Sequence, residues 1–190
     1  REGLKPSKAA NRIIWLRRVT LDLTGLPPTL AEVEAFLQDK SPKVFEMVVD
    51  RLLASPRYGE RMAWDWLEAA RYADSNGYQG DRERTMWPWR DWVIRAFNSN
   101  QPYDDFTVEQ IAGDLLPIKT DEQWTENLIA TGFLAIGSKT LVEENKRQFE
   151  MDLIDEQIDV TTRVVLGLSV ACARCHDHKF DAIPQADYYA

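Results

Sequence analysis

Apolar residues recur at helical spacing along almost the whole chain, beginning with Ile13, Ile14, Leu16, Val19, Leu21 and Leu23. That run predicts a first helix, which stops at Thr24-Gly25 ahead of two prolines. Thr29, with Glu32 three residues on, forms a capping box that opens a second helix over 30–37. Ser41-Pro42 offers an N-cap and a first-turn proline ahead of Val44, Phe45, Val48, Val49, Leu52 and Leu53, and Pro56 is expected to end that third helix. A fourth, over 59–73, sets Met62, Trp66, Ala69, Ala70 and Ala73 on one face, with Trp64 and Tyr72 at its edges. A polar loop over 74–81 contains an Asn-Gly step, and Pro88 then starts a helix carrying Trp89, Trp92, Val93, Ala96 and Phe97. Residues 98–102 break it. Further amphipathic stretches cover 105–116, 121–133 and 143–168. The chain lacks Gly-bounded alternating runs, so the pattern predicts an all-α fold, a single multi-helix domain over 1–190.

Composition narrows the class of molecule. Of 190 residues, 44% are hydrophobic and 28% charged, which suits a globular core and excludes a disordered or collagenous chain. The net charge of -8 argues against generic binding to nucleic acid or to an anionic membrane surface. No apolar run approaches the roughly 20 residues of a membrane span. Residues 1–20 include Lys5, Lys8, Arg12, Arg17 and Arg18 and have no apolar stretch of a secretory leader. A chain that opens on Arg1 rather than Met reads as a fragment of a larger multidomain protein.

The chemistry is concentrated near the C-terminus. The chain's two cysteines and two histidines, Cys172, Cys175, His176 and His178, all lie within 172–178. Two cysteines are too few for the disulfide framework of a small secreted domain. Cys172-Ala173-Arg174-Cys175-His176 is the C-x-x-C-H pattern of covalent haem attachment. Cysteines three apart share one face of a helical turn, so both thiols can add across the vinyl groups of one porphyrin edge. The following histidine is then the proximal iron ligand. Other chemistries use the same residue types: a redox dithiol or disulfide, and a zinc site drawing on His178 as well. The absence of an α/β pattern around the motif counts against the dithiol, and four ligands within 172–178 would strain a tetrahedral site.

Longer segments point the same way. Arg17-Arg18-Val19-Thr20-Leu21-Asp22-Leu23-Thr24-Gly25-Leu26-Pro27-Pro28, together with 172–181, resembles the planctomycete cytochrome c family, in its second cytochrome-type domain. Segments 52–61, 70–77, Arg90-Asp91-Trp92-Val93-Ile94 and Asp114-Leu115-Leu116-Pro117 agree with that pattern, so the resemblance covers nearly the whole chain. Met62-Ala63-Trp64-Asp65-Trp66 departs from the family's Trp-Ala-x-x-Trp, which weighs against Met62 as a ligand common to the family. The resemblance implies one covalent haem c and a periplasmic or extracellular location. It also implies a redox partner protein or an adjacent cytochrome domain.

The residue opposite His176 decides what such a domain does, because electron carriers cap the iron with Met or His and catalysts leave the position open. His178 is too close in sequence to cross the ring. Among Met47, Met62, Met86 and Met151, Met47 and Met62 fit apolar helical faces and read as core. Met86, beside Trp87 and Trp89, ranks first as a metal ligand, ahead of Met151. Trp87 is the candidate haem-face residue within the cluster of Trp64, Trp66, Trp87, Trp89 and Trp92. Arg174 and Lys179 are candidates to pair with haem propionates, as are Arg71 and Arg90. The loop Asp74-Ser75-Asn76-Gly77 with Asp81 faintly resembles a calcium loop but carries Thr85 where a bidentate Glu belongs, and reads as a polar turn. The expected function is electron transfer. The alternatives are part of a haem-dependent oxidoreductase with an open iron site, and a haem-free helical binding module with a Cys172–Cys175 disulfide.

Overall fold

The computed structural model describes residues 7–78, 80–140 and 142–190. Among them the chain forms eight α-helices and no strand, joined by 3-10 and π-helical turns. The expected all-α class is therefore observed. The leader reading rested partly on residues 1–6, and the calcium-loop reading spanned Gln79; both lie outside the described residues.

The helices begin and end where local chemistry dictates. Helix α1 (Arg12–Thr24) is capped by Asn11, whose Oδ1 accepts from the Ile14 N–H at 2.9 Å. It ends at Gly25, whose φ of 72° suits glycine. Helix α2 (Leu30–Gln38) carries the predicted capping box between Thr29 and Glu32. Helix α3 (Val44–Leu53) starts later than the Ser41-Pro42 signal suggests. Those two residues form a turn instead, in which Ser41 Oγ accepts from the Lys43 N–H at 3.2 Å. Helix α4 (Pro56–Ala69) corrects a second boundary, since Pro56 opens it rather than closing α3. It stops at Ala69 rather than Ala73, and Arg71 follows with a φ of 62°. Helix α5 spans Trp87–Asn98, α6 Tyr103–Ala112, α7 Asp121–Ala130 and α8 Lys146–Thr161. Asn145 caps α8, its side chain accepting from the Gln148 N–H at 3.2 Å.

The chain divides into two compact units, Arg1–Met62 and Ala63–Ala190, and the division falls inside α4. In the first unit Leu16, Phe36, Val44, Val48 and Leu52 form the core, with Trp15 stacked on Phe36 at 5.6 Å and edge-on to Phe45 at 4.6 Å. Full burial of each such side chain contributes about 1.5–3 kcal/mol. Met47, expected in the core, is 56% exposed and lines a groove between α2 and α3. The turn of α3 that buries Val44 and Val48 carries Met47 to the other side.

The main core of the second unit gathers Trp89, Trp92, Val93, Phe106, Phe133, Ile136 and Val160. Gln110 is almost fully buried there, yet its carboxamide accepts from Trp66 Nε1 and donates to the Phe106 carbonyl, both at 2.9 Å. That satisfied pair removes the penalty of a buried polar group. A smaller cluster of Val170, Ala173 and Tyr188, backed by Ile158 and Ile183, lies at the C-terminal end.

Candidate functional site

The site begins where α8 ends. A π-helical turn, Thr162–Leu166, follows the helix, and Gly167 at a φ of 68° directs the chain into 168–170. A 3-10 turn, Ala171–Arg174, then carries the sequence motif. The Ala173 N–H donates to the Val170 carbonyl at 2.8 Å, and the N–H groups of Cys175 and His176 both approach the Cys172 carbonyl at 3.4 Å. This tight turn sorts its side chains into two sets. Ala173 is fully buried in the small cluster, whereas Cys172, Cys175 and His176 are exposed. Both thiols are free.

Arg174 belongs with the inward set. Its Nη1 donates to Asp155 at 3.0 Å and its Nη2 to Asp152 at 2.9 Å, both carboxylates standing on α8. The Tyr188 hydroxyl donates to the other oxygen of Asp155. Gln185 completes the brace, its side chain donating to the Arg174 carbonyl at 3.3 Å and its N–H to Asp177 at 2.8 Å. Charge and burial act accordingly. The hydrogen bond from Arg174 holds the Asp152 carboxyl below its usual range, and the same bond raises Arg174 further. Burial, then the bond to Asp155, raises the Tyr188 phenol.

The two histidines are held in opposite ways. His176 Nδ1 lies 2.8 Å from the Asp177 carbonyl, and a carbonyl oxygen only accepts, so Nδ1 carries the proton. In the neutral ring the lone pair is then on Nε2, at the exposed side of the residue. His178 Nδ1 instead faces the Asp181 N–H at 2.9 Å, with the Asp181 carboxylate 3.2 Å away. Its side chain is only 9% exposed, and the backbone N–H of His178 donates to the Ile183 carbonyl at 2.9 Å. His178 thus ties down the loop after the motif.

The remaining sequence candidates are placed elsewhere. Met86 precedes α5 and packs, half-buried, against the main core of the second unit, while its neighbour Trp87 is half exposed. Met151 is half-buried on α8 and Met62 half-buried on α4. Trp89 and Trp92 are core residues, and Trp64 faces solvent. Arg71 pairs with Glu156 at 2.6 Å, Arg90 with Asp91 at 2.8 Å, and Lys179 lies over the Phe180 ring at 5.1 Å. In the polar loop, Asp74 accepts from the Tyr72 hydroxyl at 2.6 Å and Asp81 from the Gly77 N–H at 2.7 Å. Asn76 bonds the Lys139 backbone through both ends of its carboxamide, at 2.9 and 3.2 Å. These side chains are consumed in holding the loop.

The structure therefore brings Cys172, Arg174, Cys175 and His176 together on one turn. It adds Asp152, Asp155, Tyr188 and Gln185, which carry no signal of their own in the sequence. Among the described residues no group of three or more His, Cys, Asp or Glu side chains is arranged to hold a metal ion, and no helix is long and apolar enough to cross a membrane. Chemically, the turn offers two thiols and one exposed imidazole on a braced backbone.

A family model described as PSCyt2, protein of unknown function (DUF1549), matches residues 1–190. No curated protein and no solved structure matches the chain significantly.

Proposed function

We propose, for a chain that belongs to the PSCyt2 family, that residues 172–176 hold one haem c covalently and that the domain transfers electrons within an exported multidomain protein. The observation that carries this reading is the 2.8 Å approach of His176 Nδ1 to the Asp177 carbonyl. A ligating histidine typically donates its other ring N–H to a carbonyl or carboxylate, which fixes the ring and raises the basicity of the ligating nitrogen. The Asp177 carbonyl at 2.8 Å from Nδ1 sets up that arrangement and leaves Nε2 for iron.

The donor set fits the group. Cys172 and Cys175 are free, exposed and three apart on one turn, as two thioether anchors to one porphyrin edge require. Ala173 and Arg174 face the other way, so nothing on the turn competes with the thiols. When bound, haem supplies a one-electron iron couple. The protein supplies the anchor: covalent attachment needs no deep pocket, and a shallow cleft of about 270 Å³, lined by Asp177, His178 and Asp181, lies beside the turn. The net charge of -8 favours a basic or neutral redox partner, because complementary charge steers encounter.

The test is the spectrum of protein exported to a periplasm with haem-attachment machinery. The unaltered chain should show reduced-minus-oxidised cytochrome bands. His176→Ala should keep the covalent haem and shift its absorption bands, because the iron loses its proximal ligand. Bands unchanged by His176→Ala would contradict the ligand assignment. Exported protein with no haem at all would leave a helical module with a Cys172–Cys175 dithiol or disulfide.

A further inference from the structure

We propose that the solvent-facing side of α6 and α7 is a docking surface for a basic amphipathic helix presented by a partner protein. Helix α6 buries Phe106 and Gln110 on one side. Val108 and Ile111, with Leu115 in the 3-10 turn Gly113–Leu115 that follows, are spaced three and four apart and stand on the other side. An amphipathic helix ordinarily turns such a row towards the core. Here Leu115 is 80% exposed, and Val108 and Ile111 are exposed with it.

Helix α7 repeats the arrangement. It buries Asn127 and Ala130 and leaves Trp124 and Leu128, one turn apart, exposed. The two rows adjoin. A Cβ on Gly113 would stand 2.5 Å from the Asn127 carbonyl oxygen, so the turn carrying Leu115 is pressed against the α7 backbone beside Leu128. Ile118, in the connection between the two helices, is exposed as well. An apolar surface of this kind, rimmed by polar groups, marks an interaction site. It shares no residue with the turn at 172–176, so the two proposals stand or fall separately.

Charge selects the occupant. Asp104 and Asp105 lie in the first turn of α6, Asp114 precedes Leu115, and Asp121 is in register with Trp124 and Leu128 on α7. All four carboxylates are exposed and take part in no ion pair among the described residues. Lys119 is the only Lys or Arg between 103 and 128. An apolar face with acidic margins complements a helix that carries aliphatic side chains along one face and Lys or Arg beside them. A second copy of this chain would set the same carboxylates against each other, because a two-fold contact pairs like patches. An anionic membrane surface is repelled for the same reason.

The experiment is a titration of the full ¹⁵N-labelled chain with a synthetic helical peptide of leucine and lysine, roughly 18 residues or five turns, its leucines three and four apart, and with the same residues in scrambled order. The ordered peptide is expected to move the amide signals of 104–128 saturably, with a Kd on the order of 10 μM, and the scrambled one to bind about tenfold more weakly. Leu115→Ser and Asp114→Lys, both at exposed side chains, should each weaken binding about tenfold. Asp50→Lys, the same charge change on an exposed residue of α3, should leave it unaltered. Denaturation midpoints of the variants separate lost docking from lost folding, and either variant suffices where the other is unstable. Equal affinity for the ordered and scrambled peptides, signal movement centred outside 104–128, or unchanged affinity in a folded Leu115→Ser or Asp114→Lys chain would overturn the proposal. So would a dimer of the unaltered chain, seen by sedimentation, that Leu115→Ser dissolves.

Discussion

Arg174 Nη1 lies 3.0 Å from the carboxylate of Asp155, nineteen residues earlier on α8, so the second variable residue of the C-x-x-C-H turn points away from the thiols that flank it. With Asp152 at 2.9 Å on the same guanidinium and Tyr188 on the far oxygen of Asp155, the turn is fastened from its inner side. The outer side is left to Cys172, Cys175 and His176.

Arg174→Ala should therefore loosen the turn. The pairs are partly exposed, so each contributes no more than about 1 kcal/mol, and a total loss of about 1–2 kcal/mol is expected by urea denaturation. The acid dependence should change with it. Asp152 has a folded value depressed below its ordinary 3.8, so its contribution is present above that pH and disappears as pH falls through the lower folded value. Arg174→Ala should flatten that acid limb, and an unchanged limb would sever the link between the two residues.

Ala173→Leu attacks the same turn from the core. Ala173 is fully buried against Val170 and Tyr188, and an isobutyl side chain in place of its methyl has no room without moving the turn. Overpacking of this kind costs about 1–3 kcal/mol. The expected result is a lowered melting temperature together with a several-fold lower yield of covalent haem, whereas Ala173→Gly should lower stability with a smaller effect on yield.

How much of this was readable beforehand depended on range. The Thr29–Glu32 box and the stop at Gly25 are local signals, and both helices lie where those signals put them. Pro56 was misread because proline excludes itself from a helix interior but suits a first turn equally well as a stop, and the sequence alone does not say which helix it belongs to. The stretch 143–168 reads as one helix by periodicity, yet α8 spans only Lys146–Thr161, with a π-helical turn and a left-handed Gly167 beyond it. The motif at 172–176 was legible because its spacing is local. Asp152, Asp155 and Tyr188 were not, since they meet Arg174 and one another only through the tertiary fold. The tautomer of His176 rests on a backbone carbonyl, which every residue possesses and no sequence pattern marks.

Gly137 tests a different contact in the second unit. A Cβ placed there would stand 1.7 Å from Glu156 Oε1 and 2.7 Å from its Cγ, so Gly137→Ala must push aside a carboxylate held by Arg71 at 2.6 Å. A loss of about 1–3 kcal/mol is expected by chemical denaturation. Glu156→Ala in the same chain should recover part of it, and purely additive losses would show that the steric conflict is not the cause.

Two phenols should titrate late. Tyr72 is pushed up to about 12, first by burial and then by its hydrogen bond to Asp74, and burial with the bond to Asp155 raises Tyr188 further. Folded values above the ordinary 10.0 mean that both contributions to stability are present below that pH and are lost as pH rises through the raised values. Ultraviolet titration of phenolate in the native protein should show two late steps, one removed by Tyr72→Phe and the other by Tyr188→Phe. Loss of both steps in either single variant would contradict the separate assignments.

The central claim is that Cys172 and Cys175 anchor one haem. The most direct measurement is the intact mass, under denaturing conditions, of the chain exported with haem-attachment machinery. The account predicts a mass increment of a single haem that survives denaturation and is absent from the Cys172→Ser, Cys175→Ser double variant. An exported chain at its bare polypeptide mass, with its thiols free or joined to each other, would contradict it.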